Sequence, residues 1–439
     1  MGAGFTGSML AARLARQSPA PVDIFLFDRN RAFGRGVAYA TEIDRHLLNV
    51  PAASMSAHVE EPAHFLGWLR GKGREVEDGA FLPRGLYGNY LRDILGRSPD
   101  VSTISADVQG LQVGDGGVAL SLSDGRGLDV DRAILCLGNF PPASPVDEHI
   151  DETCVDHYVA DPWHSGRLSE VTPDDTVVLI GTSLTMVDVV LELVAKGHRG
   201  RLVAVSRRGL LPAAHRKAQP ARSPFSLDHL PNDMANLVHV LRTAAEEEKR
   251  RGGDWRTVVD SLRPHTQALW RRLPIAERRR FMRHVRPYWE VHRHRLAPQV
   301  AEELAALRRD GRLEIVAGRV REIVARPNGV RVSIARRRSA AREVVDSGWV
   351  VNCSGPALDY SRIDDPLLVS LFADGLVRPG PLRLGLDVDD DYRLIDRMGI
   401  ASPQLFALGP MIRGVLWETT AVPDIRRQCD ALAKFLAAS

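Results

Sequence analysis

The residues best placed to do chemistry stand at the very start of the chain, in the glycine-rich run Gly2-Ala3-Gly4-Phe5-Thr6-Gly7. In G-x-G-x-x-G the first glycine turns the chain out of a strand, the second lets backbone approach a pyrophosphate, and the third lets helix and strand pack closely. Met9, Leu10 and Leu14 then form an apolar helical face, and Val22 to Phe27 reads as a strand ending in Asp28 and Arg29. An acid about 20 residues past the last glycine is where the mononucleotide unit needs an acceptor for ribose hydroxyls. Gly2, Gly4, Phe5, Thr6, Gly7, Asp28 and Arg29 are therefore the first set of candidate cofactor-binding residues. The alternative is a glycine-rich turn with an exposed carboxylate.

A second set lies at Gly181, Ser183, Leu184 and Thr185. The apolar strand Thr176 to Ile180 precedes it and the apolar helix Val187 to Val194 follows. Ser183 and Met186 replace the second and third glycines, and Met186 implies looser helix packing or a shifted register. The next strand, Arg201 to Ser206, ends in Arg207-Arg208 rather than an acid. Arginines there can pair with a 2′-phosphate, which favours NADPH over NADH. The alternative is a basic surface pair.

Candidate acid–base groups are fewer. His46 and Asn49 lie in a glycine- and proline-marked run, 34–56, too long for a simple loop; His46, Tyr39 and Tyr87 could equally be satisfied core residues, and Asn49 an Asx turn. His215 falls where a nicotinamide-side loop is expected. Cys136, Cys154, Cys353 and Cys429 form no C-x-x-C, which speaks against a redox disulfide or a metal knuckle. No metal site is expected, since His292-Arg293-His294 has no acid or cysteine at ligand spacing.

The elements that must position these residues repeat. A hairpin at 107–113 and 117–122 precedes the closing strand Ala133 to Gly138, and a similar meander at 313–324 and 329–335 precedes Val350 to Gly355. The fold expected is α/β: two Rossmann-like dinucleotide-binding domains with β-meanders, plus a helical insertion. Residues 1–165 and 345–439 would form one unit and 170–340 the other, with the insertion at about 227–310. The insertion's aromatic residues read as core, its arginines as solvated, and the dense positive group Arg283 to Arg295 as an attractor for an anionic substrate or the NADPH phosphates. At 439 residues, two domains are the natural expectation. With 58 Lys+Arg against 55 Asp+Glu, the charge carries no nucleic-acid signature. No apolar run approaches a membrane span and no secretory signal precedes the loop, so a cytoplasmic protein is expected. Oligomeric state stays open. Only Met1 precedes the first loop, so the strand that should feed it is missing; the chain as given is expected to start several residues late, and an FAD site built without that strand to be weak.

Several motifs together resemble the FAD/NAD(P)-binding family that includes FAD-dependent urate hydroxylase-like and aspartate N-monooxygenase-like proteins. They are Gly2 to Gly7 with Asp28, Gly34-Arg35-Gly36-Val37-Ala38-Tyr39, His46 to Pro51 with Met55-Ser56, Phe81 to Tyr90, Gly181 to Asp188 and Leu405 to Pro410. The resemblance implies that the first loop holds the FAD pyrophosphate, that Leu48, Asn49 and Met55 lie near the flavin or its ribityl chain, and that Gly409 closes the site. Pro410 stands where relatives carry Asp. The helix from about Val422 would point its start at the flavin; Glu418 could be structural or catalytic. The implied activity is an FAD-dependent, NADPH-using monooxygenase that hydroxylates a small, possibly anionic, substrate with O₂ through a flavin hydroperoxide. An NAD(P)H:acceptor flavin reductase and a non-catalytic FAD/NAD(P)-binding protein stay open beside it.

Overall fold

The computed structural model describes residues 1–146, 149–164, 166–216 and 225–438. After the first loop, the helix Phe5–Gln17 lays Met9 and Leu10 into the core. The strand Ile24–Phe27 pairs in parallel with Val101–Ile104. A second block joins Ala133–Leu135 in parallel to Ala401–Ala407, which carries Arg393–Ile395 antiparallel to it. Met1 and Gly2 bridge the two blocks. The Met1 nitrogen donates to the Ile134 carbonyl at 2.9 Å, the Gly2 N–H to the Phe27 carbonyl at 3.0 Å, and the Cys136 N–H to the Met1 carbonyl at 2.8 Å. These bonds join a two-stranded and a three-stranded sheet.

The expected first meander is present as the antiparallel strands Val108–Gly114, Gly117–Leu122 and Gly127–Val130. Its inner face (Val108, Leu111, Val118, Leu120) packs on Leu367, Leu368 and Leu371 of the helix Pro366–Ala373. That helix starts cleanly: Asp365 accepts the Leu368 N–H and Pro366 takes the first turn, where no N–H is needed.

The second unit is one eight-stranded sheet. Val177–Ile180 is fully buried at its centre, parallel to Leu202–Ser206 on one side and Trp349–Asn352 on the other. The long strand Leu313–Arg326 pairs in parallel with Leu202–Ser206 through its first half. Through its second half it pairs antiparallel with Gly329–Arg336, which pairs with Arg342–Ser347. The sheet also takes in His149–Ile150 and Tyr158–Val159. Strand pairing therefore carries this unit beyond 170–340 on both sides, drawing in segments that boundaries at 165 and 345 leave to the first unit; residue 165 lies outside the described residues. The helix Leu184–Ala195 follows Ser183 as Phe5–Gln17 follows Gly4, so the register is not shifted. Met186, fully buried, fills the core beneath it.

The insertion is helical: Met234–Arg250, Trp255–Leu262, Thr266–Arg272, Ile275–Arg280 and Arg286–Arg293. It ends earlier than 310. Pro298–Arg309 buries Val300, Leu304 and Leu307 against the second sheet and is that sheet's crossover helix. The aromatic residues do form core, with Trp270, Phe281 and Trp417 at ring separations of 4.9–5.7 Å. The arginines are not all solvated. Arg256 and Arg295 are buried and both stack on Trp255, because each also finds a carboxylate, Asp254 and Asp260. No helix among the described residues is long and apolar enough to cross a membrane.

Candidate functional site

Each phosphate loop is sealed in the same way. Gly2 has φ +91°, and a Cβ there would stand 2.3 Å from the Cys136 carbonyl oxygen; Gly181 has φ +125°, and a Cβ there would stand 2.2 Å from that of Cys353. Both cysteines close the strands named above, so each loop's first glycine rests on the end of its unit's closing strand. At Gly7 a Cβ would lie 1.9 Å from the Gly2 carbonyl oxygen, which explains the third glycine. Neither helix start, at Gly4 or at Ser183, is capped by a side chain. The first-turn N–H groups and the positive end of the helix dipole are thus left for an anion.

Around the first loop, Gly34 donates to the Ala3 carbonyl and Gly36 closes on Gly4, where a Cβ would meet the Gly4 Cα at 2.9 Å. Asp28 ends its strand beside the loop: one carboxylate oxygen takes the N–H groups of Asn30 and Ala32, and the other lies 3.4 Å from the Ala3 nitrogen, lightly engaged. Gly409, at φ +79°, sits over Thr6, whose hydroxyl oxygen a Cβ would meet at 2.9 Å. Its N–H goes to Gln428. Glycine at 409 is required for that approach whatever stands at 410. Phe5, Leu48 and Met55 are buried in one apolar cluster with Tyr87 and Leu408. Arg29 turns away, pairing with Asp365 at 2.8 Å and Asp107 at 3.2 Å.

His46 is buried with both ring nitrogens engaged. Thr41 Oγ1 lies 2.8 Å from Nδ1, and Nε2 lies 2.9 Å from the Asp188 carbonyl. It joins the first unit to the helix Leu184–Ala195 and has no ring nitrogen left for proton transfer. Arg84 makes the same connection, bidentate to the buried Asp188 carboxylate at 2.7 and 2.9 Å. Asn49 offers its carbonyl to His215 Nε2 at 3.0 Å. Burial pushes the His215 imidazole down to about 4, so it is neutral and donates this hydrogen bond. Asp188 and Arg84 fall within the quoted motifs but carry no assigned role there; the sequence signal for Asp188 is a carboxylate, one of two with Glu192, inside the apolar run Val187 to Val194.

At the second loop, Thr182 fastens the turn to Ser206 and to the Leu210 carbonyl. Arg207 is exposed at the strand end and pairs with no carboxylate among the described residues. Arg208 lies over the Tyr288 ring, 5.0 Å from its centroid. Part of the positive group at 283–295 is paired: Arg286 and His294 face Glu290, Arg293 faces Glu418, and Arg295 faces Asp260. Glu418 is buried, with one oxygen 3.3 Å from Arg293 and the other lacking a hydrogen-bond partner among the described residues. Thr419, fully buried, likewise has an unpartnered hydroxyl just before the helix Val422–Ala438. The four cysteines are buried, and burial pushes the Cys136 thiol up to about 11 and that of Cys353 further. None is a reactive thiol.

Residues 1–140 match the family model described as FAD-NAD(P)-binding. An uncharacterized protein of Mycobacterium tuberculosis is 26% identical, over 82% of this chain and 73% of its own length. The uncharacterized protein YdhS of Escherichia coli is 26% identical over 60% of this chain and 57% of its own. Among solved structures, the Kutzneria ornithine N-hydroxylase, described with reduced FAD, NADP⁺ and L-ornithine, superposes with TM-score 0.68 at 15% identity, covering 100% of this chain and 97% of that one. The FAD-bound cadaverine monooxygenase of Erwinia amylovora gives 0.67 at 12% identity, covering 99% and 93%. The thioredoxin reductase of T. acidophilum gives 0.57 at 11%, covering 100% and 96%. The chain has the α/β fold of flavoproteins with two dinucleotide-binding units.

Proposed function

We propose that the protein is an FAD-dependent, NADPH-using monooxygenase of a small organic substrate. The observation that carries the reading is the pair of glycine loops, each sealed on its closing strand and each opening on an uncapped helix, in one chain whose fold is shared with N-hydroxylating flavoproteins. The residues present fit the cofactors. Gly2 and Gly7 let the turn pack on its closing strand and helix, Gly4 leaves the helix start bare for a pyrophosphate against the N–H groups of Phe5, Thr6 and Gly7, and the lightly engaged oxygen of Asp28 accepts from a ribose hydroxyl. Gly181, Ser183, Leu184 and Thr185 do the same for the second nucleotide. Arg207, without a carboxylate partner among the described residues, and Arg208, held on Tyr288, meet a 2′-phosphate. Bound FAD supplies the redox and oxygen chemistry, with NADPH as electron donor.

The chain's own part is to bind, orient and keep water out. Leu48 and Met55 line the first unit's apolar cluster with their side chains, and Asn49 is fixed through its carbonyl by His215. The segment Trp417–Thr419, roofed by the insertion, covers the start of the helix Val422–Ala438. Of the anionic character expected for the substrate, the paired arginines at 286–295 lend little support, so the substrate is proposed without a prescribed charge. The buried, high-pKa cysteines argue against a dithiol reductase.

The test is direct. Purified protein should be yellow and release FAD on denaturation, and NADPH should bleach it anaerobically faster than NADH. Arg207→Ala should weaken NADPH about ten- to hundredfold, the worth of a charge-assisted contact, and leave NADH unchanged. A screen of amines, amino acids and purines for stimulated NADPH consumption, followed by ¹⁸O₂ labelling of the product, decides oxygen insertion. Peroxide release with unlabelled product would make the protein a flavin reductase instead, and colourless protein that takes up no flavin would end the reading.

A further inference from the structure

The insertion reaches back to the second nucleotide unit through its last helix. Ile275–Arg280, Phe281–Val285 and Arg286–Arg293 follow one another without a break, and the middle stretch is a π-turn in which the Arg286 N–H reaches the Phe281 carbonyl, five residues back. Pro287 supplies the reason: its ring would clash with the carbonyl of Arg283, four residues earlier, and a wider turn relieves the clash. One extra residue in a turn rotates every later side chain by about 100° around the helix axis. What the turn aims is the group that meets the strand end at Arg207-Arg208. Arg208 donates to the Tyr288 hydroxyl at 3.2 Å, and its guanidinium lies 5.0 Å from the centre of that ring. The Ala213 N–H donates to the Val291 carbonyl, which fastens the same helix to the chain leaving the strand.

Arg286 stands two residues before Tyr288, and its charge is incompletely matched. One carboxylate, Glu290, serves two guanidinium groups, Arg413 at 2.8 Å and Arg286 at 3.3 Å. Burial and then the like charge of Arg413 lower the Arg286 pKa; Glu290 opposes this, and Arg207 adds to it from across the boundary between insertion and second unit. Positive charge is therefore in excess where Arg286 and Arg207 approach each other, and like charges so held repel until an anion enters. We infer that Arg286 is a specificity-determining residue for the nucleotide: together with Arg207 and Arg208 it binds the 2′-phosphate of NADPH, while Tyr288 holds Arg208 in place. A phosphate monoester carries about −1.5 to −2 charges at pH 7 and three acceptor oxygens, enough for three guanidinium groups, whereas NADH offers only a hydroxyl there. The inference rests on the NADPH reading above. It adds a residue from outside the dinucleotide-binding unit, so that the insertion takes part in choosing the cofactor.

The experiment titrates the full chain, with flavin as purified, calorimetrically with 2′,5′-ADP and 5′-AMP, the adenosine ends of NADPH and NADH. The wild type should bind 2′,5′-ADP about tenfold tighter or more. Arg286→Gln leaves Glu290 paired with Arg413, so no carboxylate is stranded. It should weaken 2′,5′-ADP about ten- to hundredfold and move 5′-AMP by less than about twofold. Arg286→Lys should restore part of the loss, because it keeps the charge and not the fork. Tyr288→Phe removes only the hydroxyl that Arg208 donates to and should weaken 2′,5′-ADP about threefold. An Arg286→Gln protein that loses both probes equally, or neither, overturns the inference; if that variant does not fold, unchanged 2′,5′-ADP affinity in both Arg286→Lys and Tyr288→Phe does the same. A wild-type preference for 2′,5′-ADP that Arg207→Ala abolishes and Arg286→Gln leaves intact sinks Arg286 and keeps the NADPH reading. Equal binding of the two probes by the wild type sinks the NADPH reading, and Arg286 with it.

Discussion

At the scale of single residues, the site is made by groups whose roles depend on what their second atom touches. Asp28 keeps one oxygen for its own turn and leaves the other lightly held, whereas His46 spends both nitrogens on structure. His215 lies between these cases. Its Nε2–H holds the Asn49 carbonyl, while Asp260, Arg256 and Arg295 act on it electrostatically. Burial lowers its folded-state pKa to about 4 from an unfolded value near 6.5. A depressed histidine pKa means the unfolded chain binds the extra proton first. Stability is therefore full above about pH 6.5 and falls as pH drops toward 4. The denaturant midpoint should decline across that window, and His215→Asn should make the decline shallower. A midpoint equally steep in the variant would show that the titration belongs elsewhere, His58 being the next group lowered by burial to about 4.

At the scale of elements, the repeated seal between loop and closing strand makes each nucleotide unit a single mechanical piece. Gly181→Ala adds a Cβ 2.2 Å from the Cys353 carbonyl at a φ that L-residues avoid, so the loop must leave its strand. The expected result is a loss of roughly 1–3 kcal/mol in denaturant unfolding and weaker NADPH binding, with flavin content unchanged. If flavin is lost and NADPH binding kept, the assignment of the two loops is reversed. Most of this layer was legible in the sequence, because strand, glycine turn and helix each carry a local signature: the apolar run of 176–180, the glycine, the helical spacing after 184. What was not legible turns on contacts far along the chain. Leu48 and Met55 have the same apolar type whether they line a flavin or a core, and the insertion's arginines could not be read as paired because Asp260 and Glu418 meet them only in the fold. The end of the insertion is hidden from sequence for a related reason, since Pro298–Arg309 is helical like its neighbours and differs only in what it buries.

At the scale of the whole molecule, buried groups tie the two units to one another. Asp188, in the helix that starts at the second loop, is held by Arg84 through its carboxylate and by His46 through its carbonyl. Glu290 and Glu418 meet Arg413 and Arg293 across the insertion's contact with the C-terminal segment. Asp188 and Arg84 have side-chain exposures of 6% and 16%, so the pair is shielded from solvent and breaking it leaves a buried charge alone. Electrons can pass from one nucleotide to the other only if their reactive rings meet, and a fixed arrangement sets that meeting in advance. Asp188→Ala should therefore destabilise the protein by roughly 3–5 kcal/mol. In the fraction that remains folded it should slow NADPH-driven flavin bleaching severalfold more than it weakens NADPH binding, since Arg207 and the loop are untouched. Scattering profiles of the oxidised and NADPH-reduced wild type should coincide. A reduction-dependent change in radius of gyration, together with normal bleaching in Asp188→Ala, would mean that the units rotate during turnover and that the Asp188 pair is a resting contact rather than a lock.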